Sequence, residues 1–296
     1  MERPPRRLVV PRPAPARLDT FLASRLPGYG VEQLRQLIER GLVRVNGTRA
    51  KVRRRLHGGE TVELELPAPK RLPPVEGPRL HALVSREDFL VIDKPAGIVV
   101  EPEPGQVSIL QLAATQFEGF DVGGVAAPGI VHRLDKGTTG CLLLAKSDEA
   151  QARLTQAFEQ RDVHKIYLAV VRGSPPDEGR LDTPYGRDPR APGRFTTRAA
   201  SPRRARLSYR VEERYRAATL LEVTLETGRT HQIRVQLSEA GFPLLGDEMY
   251  GVRDPLLARP ALHAARLSVA GVDPPVECRA PLPDDLERAL AAWRAQ

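Results

Sequence analysis

Three separated stretches of the chain carry side chains able to break and remake a covalent bond. In the first, Gly129-Ile130-Val131-His132-Arg133-Leu134-Asp135-Lys136-Gly137-Thr138-Thr139-Gly140, one carboxylate is flanked by a histidine, an arginine and a lysine. Neighbouring cations lower a carboxyl pKa and keep the group ionised, so Asp135 is placed to serve as nucleophile or base. The same spacing fits a structural ion pair or a turn-forming aspartate, and taken alone it leans that way. The second stretch is His164-Lys165-Ile166-Tyr167-Leu168-Ala169-Val170-Val171. As a strand it puts Lys165 and Tyr167 on one face and Ile166, Leu168 and Val170 on the other. A tyrosine there can stack on a nucleobase and offer its phenol for proton transfer, or it can simply border the core. In the third, Glu226-Thr227-Gly228-Arg229-Thr230-His231-Gln232-Ile233-Arg234-Val235-Gln236-Leu237, Arg234 enters an apolar run. A guanidinium reaching inward needs a carboxylate partner. His132, His231 and His263 lack metal-ligand spacing, so no metal is expected.

These segments need a scaffold, and the surrounding pattern supplies one. Short apolar runs bounded by Gly and Pro read as strands: Phe89–Ile92, Cys141–Leu144, Tyr167–Val171, Leu220–Leu225 and Ile233–Leu237. Ser108–Phe117, Asp148–Gln160 and Asp284–Ala295 read as helices, and 232–240 stays open between helix and strand. Strands outnumber helices without regular alternation, which predicts an α+β domain with a mixed, largely antiparallel sheet over 79–296. Ahead of it, Leu18, Leu22 and Leu26 mark a short helix capped by Asp19 or Thr20 and ended by Pro27-Gly28. A second helix carries Leu34, Leu37 and Ile38 and stops at Gly41. Val43 and Val45 alternate with Arg44 up to a hairpin turn at Asn46-Gly47, and Thr61–Leu66 alternates again. The reading is a flexible basic arm over 1–16, a small α/β domain over 17–66, and a semi-rigid linker over 67–78, where five of twelve residues are proline.

Charge is distributed unevenly. The 296 residues carry a net +8, and residues 1–70 alone, with 15 Lys and Arg against 7 Asp and Glu, account for all of it. A basic module on a neutral body points to a polyanion partner, because Lys and Arg gain affinity by releasing counterions from phosphates. Arg44, Arg49, Lys51, Arg53, Arg54 and Arg55 crowd this module and are the candidates for binding that polyanion. Cys141 and Cys278 fit neither a disulfide framework nor a zinc spacing and are expected to be reduced and structural. No apolar run has the length of a signal-peptide core or a membrane span, so the expectation is a cytoplasmic protein without membrane association.

The N-terminal module resembles the alpha-L RNA-binding motif, on Arg17-Leu18-Asp19 and Leu42-Val43-Arg44-Val45-Asn46-Gly47. The remainder closely resembles the RluA-type RNA pseudouridine synthases. That likeness rests on Asp93-Lys94-Pro95-Ala96-Gly97-Ile98, the His-Arg-Leu-Asp loop, Lys165–Val170, Gly228–Arg234, Gly246-Asp247-Glu248-Met249-Tyr250-Gly251 and Leu262-His263-Ala264, in that order. It implies that Asp135 is the catalytic aspartate, Tyr167 the aromatic stacked on the target uracil, and Arg234 the cation paired with the aspartate. It further implies that Leu262 lines the pocket, and that Arg133, with His132 beside it, binds the RNA from which the uridine is flipped. The family often has Asp at position 137, Ser at 139 and His at 236, where this chain has Gly137, Thr139 and Gln236.

Such an enzyme breaks the bond between uracil and ribose, turns the base and rejoins it through C5. Isomerisation needs no cofactor, and the sequence has neither a Walker loop nor a dinucleotide fingerprint. The resemblance implies large-subunit ribosomal RNA as substrate more than transfer RNA, and a monomer is the default expectation. Two alternatives remain at this level: a non-catalytic RNA-binding or ribosome-associated protein, and a hydrolase using Asp135.

Overall fold

A computed structural model describes residues 5–13, 17–26, 29, 31–65, 72–120, 129–200 and 203–296. The N-terminal module contains strand β1 (Arg6–Val9), helices α1 (Leu18–Arg25) and α2 (Val31–Glu39), and strands β2 (Val43–Val45), β3 (Thr48–Arg49) and β4 (Thr61–Leu64). The strands form an antiparallel sheet in the order β1-β4-β2-β3. The turn between β2 and β3 has Asn46 at φ 50 and Gly47 at φ 76, the left-handed pair a tight hairpin requires. Gly41, at φ 78, ends α2 by the same freedom: its N–H donates to the Ile38 carbonyl, and that of Leu42 donates to the Leu37 carbonyl.

Two expectations fail in this module. The proline- and arginine-rich composition of 1–16 suggests a flexible arm, yet Arg6–Val9 pairs with β4 residue by residue and Val10 is buried in the module's core. Backbone pairing and one well-placed apolar side chain outweigh composition here. Nor is Asp19 the cap of α1. The helix begins at Leu18, and Asp19 is a buried carboxylate in its first turn, accepting bonds from Arg17, Arg35 and the Thr20 N–H. Those donors hold its pKa below the usual carboxylate value, although burial alone would raise it. The expected stop at Pro27-Gly28 lies outside the described residues, as do Leu66, the expected end of the small domain, and positions 67–71 of the linker.

The larger region is a mixed sheet flanked by helices. In chain order its elements are β5 (His81–Ser85), β6 (Phe89–Lys94), α3 (Ile109–Gln116), β7 (Thr139–Ala145), α4 (Asp148–Gln160), β8 (Val163–Arg172) and β9 (Glu178–Pro184). A small hairpin follows, β10 (Gly186–Arg187) with β11 (Phe195–Thr196), then β12 (Arg204–Arg214), β13 (Ala218–Leu225), α5 (Gln232–Glu239), β14 (Leu262–Val269), β15 (Val276–Arg279) and α6 (Asp284–Arg294). The main sheet runs β5-β6-β7-β14-β8-β13-β12-β9, with β15 also on β14. All its pairings are antiparallel except β7 with β14.

Both faces of the sheet are covered, which explains why its central strands are continuously apolar. Leu142 and Leu144 of β7 pack with α3 residues Ile109 and Leu112, whereas Leu143 and Ala145 pack with Ala150 and Leu154 of α4. Residues 232–239 are helical, so the Ile233–Leu237 strand reading is corrected. As a strand, Ile233, Val235 and Leu237 would share a face. Instead Ile233 and Leu237 enter the main core, Val235 enters a separate cluster with Tyr185 and Ala205, and Gln232 bonds Gln236 one turn away. Helix α4 also meets the N-terminal module: Ala152 belongs to that module's core, and Glu149 pairs with Arg6 at 2.7 Å.

Where β7 runs beside β14, Gly140 has φ 105, and an added Cβ would collide with the backbone carbonyl of Ala264. Backbone strain and overpacking each cost about 1 to 3 kcal/mol. Gly140→Ala is therefore expected to lower unfolding free energy by about 2 to 5 kcal/mol, measured by urea denaturation.

Candidate active site

The parallel junction of the sheet brings the sequence-predicted residues together. Asp135 lies on the loop entering β7, Leu262 begins β14, and Tyr167 of β8 is paired with Ala264 of β14. Arg234 comes from the first turn of α5. All four line one open cleft of about 880 Å³, with Arg133, Lys165, Arg206, Arg229 and His231 around them.

The loop carrying Asp135 is pinned from beneath. The Asp135 carbonyl accepts from the Thr138 N–H at 3.0 Å, closing a turn, and the Lys136 carbonyl accepts from the Gly97 N–H at 2.8 Å. Fully buried Lys94 donates through Nζ to the carbonyls of Pro95, Lys136 and Thr138 at 2.8, 3.2 and 3.0 Å. Burial pushes the Lys94 ammonium down to about 7, and the nearby Asp135 charge opposes the shift. The motif Asp93-Lys94-Pro95 thus supplies a clamp, a task its residue types alone do not disclose.

Arg234 bridges two carboxylates. Its Nε and Nη2 donate to Asp247 at 2.7 and 2.9 Å, a two-pronged contact, and Nη1 donates to Asp135 Oδ2 at 3.1 Å. Asp247 is the partner that sequence reasoning missed. Its signal was the Gly246–Gly251 stretch, a conspicuous polar motif. Burial would raise the Asp247 pKa, but the bonds and charge of Arg234 and two backbone N–H groups hold it below the usual range. Asp135 Oδ1 is left free of Arg234 and faces His231 Nε2 at 3.9 Å.

Tyr167 is buried, and that burial, reinforced by the Asp135 charge, raises its phenol above the usual value. Leu262 is buried beside it. Arg133 is exposed and ion-pairs with Glu101 at 3.0 Å. His132, expected to bind substrate, departs from that reading: its Nε2 accepts the Leu143 N–H at 2.9 Å and its ring packs on Phe158. The imidazole thereby fastens the loop to β7, and burial drives its pKa down to about 3, so it is neutral. Lys165 also sits over Phe158, and burial brings its ammonium down to about 8.

The three departures from the family pattern fit their surroundings. A Cβ at Gly137 would lie 3.0 Å from Pro260, Thr139 Oγ1 bonds His263 Nδ1 at 2.9 Å, and Gln236 donates to Thr183 Oγ1 and the Ala205 carbonyl. None touches Asp135, Tyr167 or Arg234. In the N-terminal module Arg44, Arg49, Lys51, Arg53 and Arg55 are exposed, with Arg49 also donating to the Glu39 carbonyl. Arg54 differs from them, being partly buried and paired with Glu60 at 2.8 Å. It braces the loop before β4 instead of facing outward. Cys141 and Cys278 are buried and unbridged. No helix among the described residues is long and apolar enough to cross a membrane.

Comparison with known proteins agrees with this geometry. Residues 88–239 match the family described as RNA pseudouridylate synthase, and residues 16–62 match the S4 domain, where the alpha-L motif was expected. The ribosomal large subunit pseudouridine synthase D of Xanthomonas campestris pv. campestris is 38% identical, over 98% of this chain and 92% of its own length. An uncharacterized RNA pseudouridine synthase of Chloroflexus aurantiacus is 39% identical, over 96% of this chain and 92% of that one. Among solved structures, human RNA pseudouridylate synthase domain containing 1 superposes with a TM-score of 0.59 at 25% identity, covering 76% of this chain and 98% of that chain. Human RNA pseudouridylate synthase domain containing 4 gives 0.58 at 26% identity, covering 72% and 93%. A matched catalytic region, a matched S4 domain and full-length relatives lead to one assignment: the chain belongs to the RNA pseudouridylate synthase family.

Proposed function

We propose that this protein converts uridine to pseudouridine in large-subunit ribosomal RNA, with Asp135 as the catalytic carboxylate. The observation that carries the proposal is the placement of that carboxylate: Oδ2 is held by Arg234, and Asp135 lines an open cleft together with Tyr167 and Leu262. An oriented carboxylate lining an open cleft suits a reaction that begins by attack at, or proton removal from, a flipped nucleoside. The C1′–N1 bond breaks, the freed uracil turns, a C1′–C5 bond forms, and C5 loses its proton while N1 gains one. Atoms balance without a cofactor. The relatives named for the large ribosomal subunit favour that RNA as substrate.

The surrounding residues take complementary parts. Tyr167 stacks on the uracil and, resting protonated, has a hydroxyl available to the base. Arg133, exposed at the rim and paired with half-buried Glu101, exchanges that carboxylate for an RNA phosphate. In the N-terminal module, Lys51, Arg53 and Arg55 are free to meet phosphates, which anchors the RNA away from the chemistry.

Three outcomes test this reading. Asp135→Asn keeps the shape and removes the charge, so release of tritium from RNA labelled at uridine C5 should fall to background while RNA affinity holds. Residual turnover within about tenfold, or about 1.4 kcal/mol of barrier, would count against Asp135. Hydrolysis would show as free uracil in the same assay. Tyr167→Phe should bind RNA normally and form product at least about tenfold more slowly, whereas Tyr167→Leu should also lose about 1 to 3 kcal/mol of stacking. Full activity in both would return Tyr167 to core packing. Replacing Lys51, Arg53 and Arg55 by Ala should flatten log K against log salt by about 0.7 to 0.9 for each phosphate no longer neutralised, with turnover at saturating RNA preserved. An unchanged slope would remove this surface from the interface.

A further inference from the structure

His231 stands in a backbone conformation that a residue with a side chain seldom adopts. Its φ is 59 and ψ 18, it precedes α5, and its side chain makes no capping bond to that helix. Such a conformation persists only where the surroundings hold it, and it directs attention to what the side chain does. The imidazole is fixed by a chain of contacts. The Phe195 N–H donates to the Tyr250 hydroxyl oxygen at 2.9 Å, and that hydroxyl lies 3.0 Å from His231 Nδ1. The oxygen accepts from Phe195, and the hydroxyl's own proton is assigned to Nδ1, the acceptor within reach at 3.0 Å. Neutral His231 then carries its own proton on Nε2, the nitrogen 3.9 Å from Asp135 Oδ1.

The surroundings keep this arrangement rigid. The His231 ring meets Phe195 and Tyr250 edge-on, with centroids 5.9 and 5.5 Å apart. The guanidinium groups of Arg194 and Arg234 lie over the Tyr250 ring at 5.0 and 5.1 Å from its centroid. Burial and the charges of Arg234 and Arg133 disfavour the imidazolium, against the opposing pull of Asp135 and Asp247, and the net shift is downward. Arg234 holds Asp135 through one oxygen, Oδ2, and among the described residues no hydrogen bond reaches Oδ1, so the carboxylate is anchored at one point only. A second donor, approaching the other oxygen, would set its plane.

We propose that Tyr250 and His231 form a positioning pair for Asp135: Tyr250 selects the His231 tautomer, and His231 Nε2–H closes onto Asp135 Oδ1 when RNA fills the cleft. At 3.9 Å the contact is too long for a hydrogen bond in the free protein, and substrate-dependent tightening of this kind is common at catalytic groups. The inference rests on Asp135 being the reactive carboxylate. His231 acts through Asp135 and is a positioning residue, so its removal should lower turnover without weakening RNA binding.

The experiment measures kcat and KM by tritium release from ribosomal RNA transcripts labelled at uridine C5, with thermal unfolding of each variant as a control. His231→Leu should lower kcat about 10- to 100-fold with KM within about twofold of the wild type. His231→Gln, whose amide N–H reaches close to the position of Nε2–H, should restore kcat to within about fivefold. Tyr250→Phe, which removes one hydroxyl and keeps the ring under the two guanidiniums, should lower kcat by a smaller factor. The double variant His231→Leu, Tyr250→Phe should be no slower than His231→Leu alone, because the tyrosine acts only through the histidine. Wild-type kcat in His231→Leu, a change confined to KM, a Gln variant as slow as Leu, or full additivity in the double variant would each overturn the pair. Should His231→Leu fail to fold, the Gln and Tyr250→Phe kinetics decide the matter. An inactive wild type, or an active Asp135→Asn, would instead overturn the function itself.

Discussion

A guanidinium buried between two carboxylates is the interaction on which the rest of the site depends. Arg234 is almost fully buried, and removing such a cation from water costs several kcal/mol unless its donors are met. Asp247, itself buried, meets two of them and neutralises the charge. That makes the contact to Asp135 a surplus: Arg234 has no need of a second carboxylate for its own stability and can still orient one. The arrangement also constrains the backbone. Arg234 must be delivered by a helix, since its neighbours Ile233 and Val235 enter different apolar clusters, and the 246–251 segment must turn tightly to aim both Asp247 oxygens at it.

Lysine and arginine divide the labour here according to their chemistry. The planar fork of Arg234 suits a carboxylate approached with two parallel bonds. The ammonium of Lys94 suits three carbonyls arranged around a point, and those carbonyls belong to the two loops that converge under Asp135. One cation therefore fixes the side chain of Asp135 and the other fixes its backbone. His132, neutral and bonded to the Leu143 N–H, secures the start of the same loop to β7.

How far the sequence could reveal this depended on whether the needed signal was local. Asn46-Gly47 and Gly41 were readable because left-handed backbone is a property of one or two residues. Asp135, Tyr167 and Arg234 were readable as a set only through the order of motifs in a known family, since nothing in their separate spacings says that they meet. The strand in 6–9 was hidden because its partner, β4, lies more than fifty residues away. The helix at 232–239 stayed undecided because apolar positions at 233, 235 and 237 satisfy a strand period, while the choice is made by two cores lying on different sides. The inward turn of Arg54 toward Glu60 and of His132 toward Leu143 followed from tertiary contacts as well. Charge runs and motif neighbours show which residues are available, and packing decides which of them face the ligand.

Helix α4 connects the two halves of the molecule physically. One side of it contributes Ala152 to the core of the N-terminal module and holds Arg6 through Glu149. Further along, Thr155, Phe158 and Glu159 form part of the cleft wall. The helix is itself anchored by Leu154 and Ala157 in the core beneath β7, the strand that begins after Asp135. The seam between the two is small: Ala152 is buried in it, while the Arg6–Glu149 pair is about half exposed, and such exposed pairs contribute at most about 1 kcal/mol. On the proposed function, the uneven charge distribution serves RNA affinity, with exposed Lys51, Arg53 and Arg55 on the N-terminal module and Asp135 in the cleft of the larger region. Charge contributes affinity without sequence information, so on that reading the choice of uridine falls to the cleft around Asp135 and to the fold of the RNA itself.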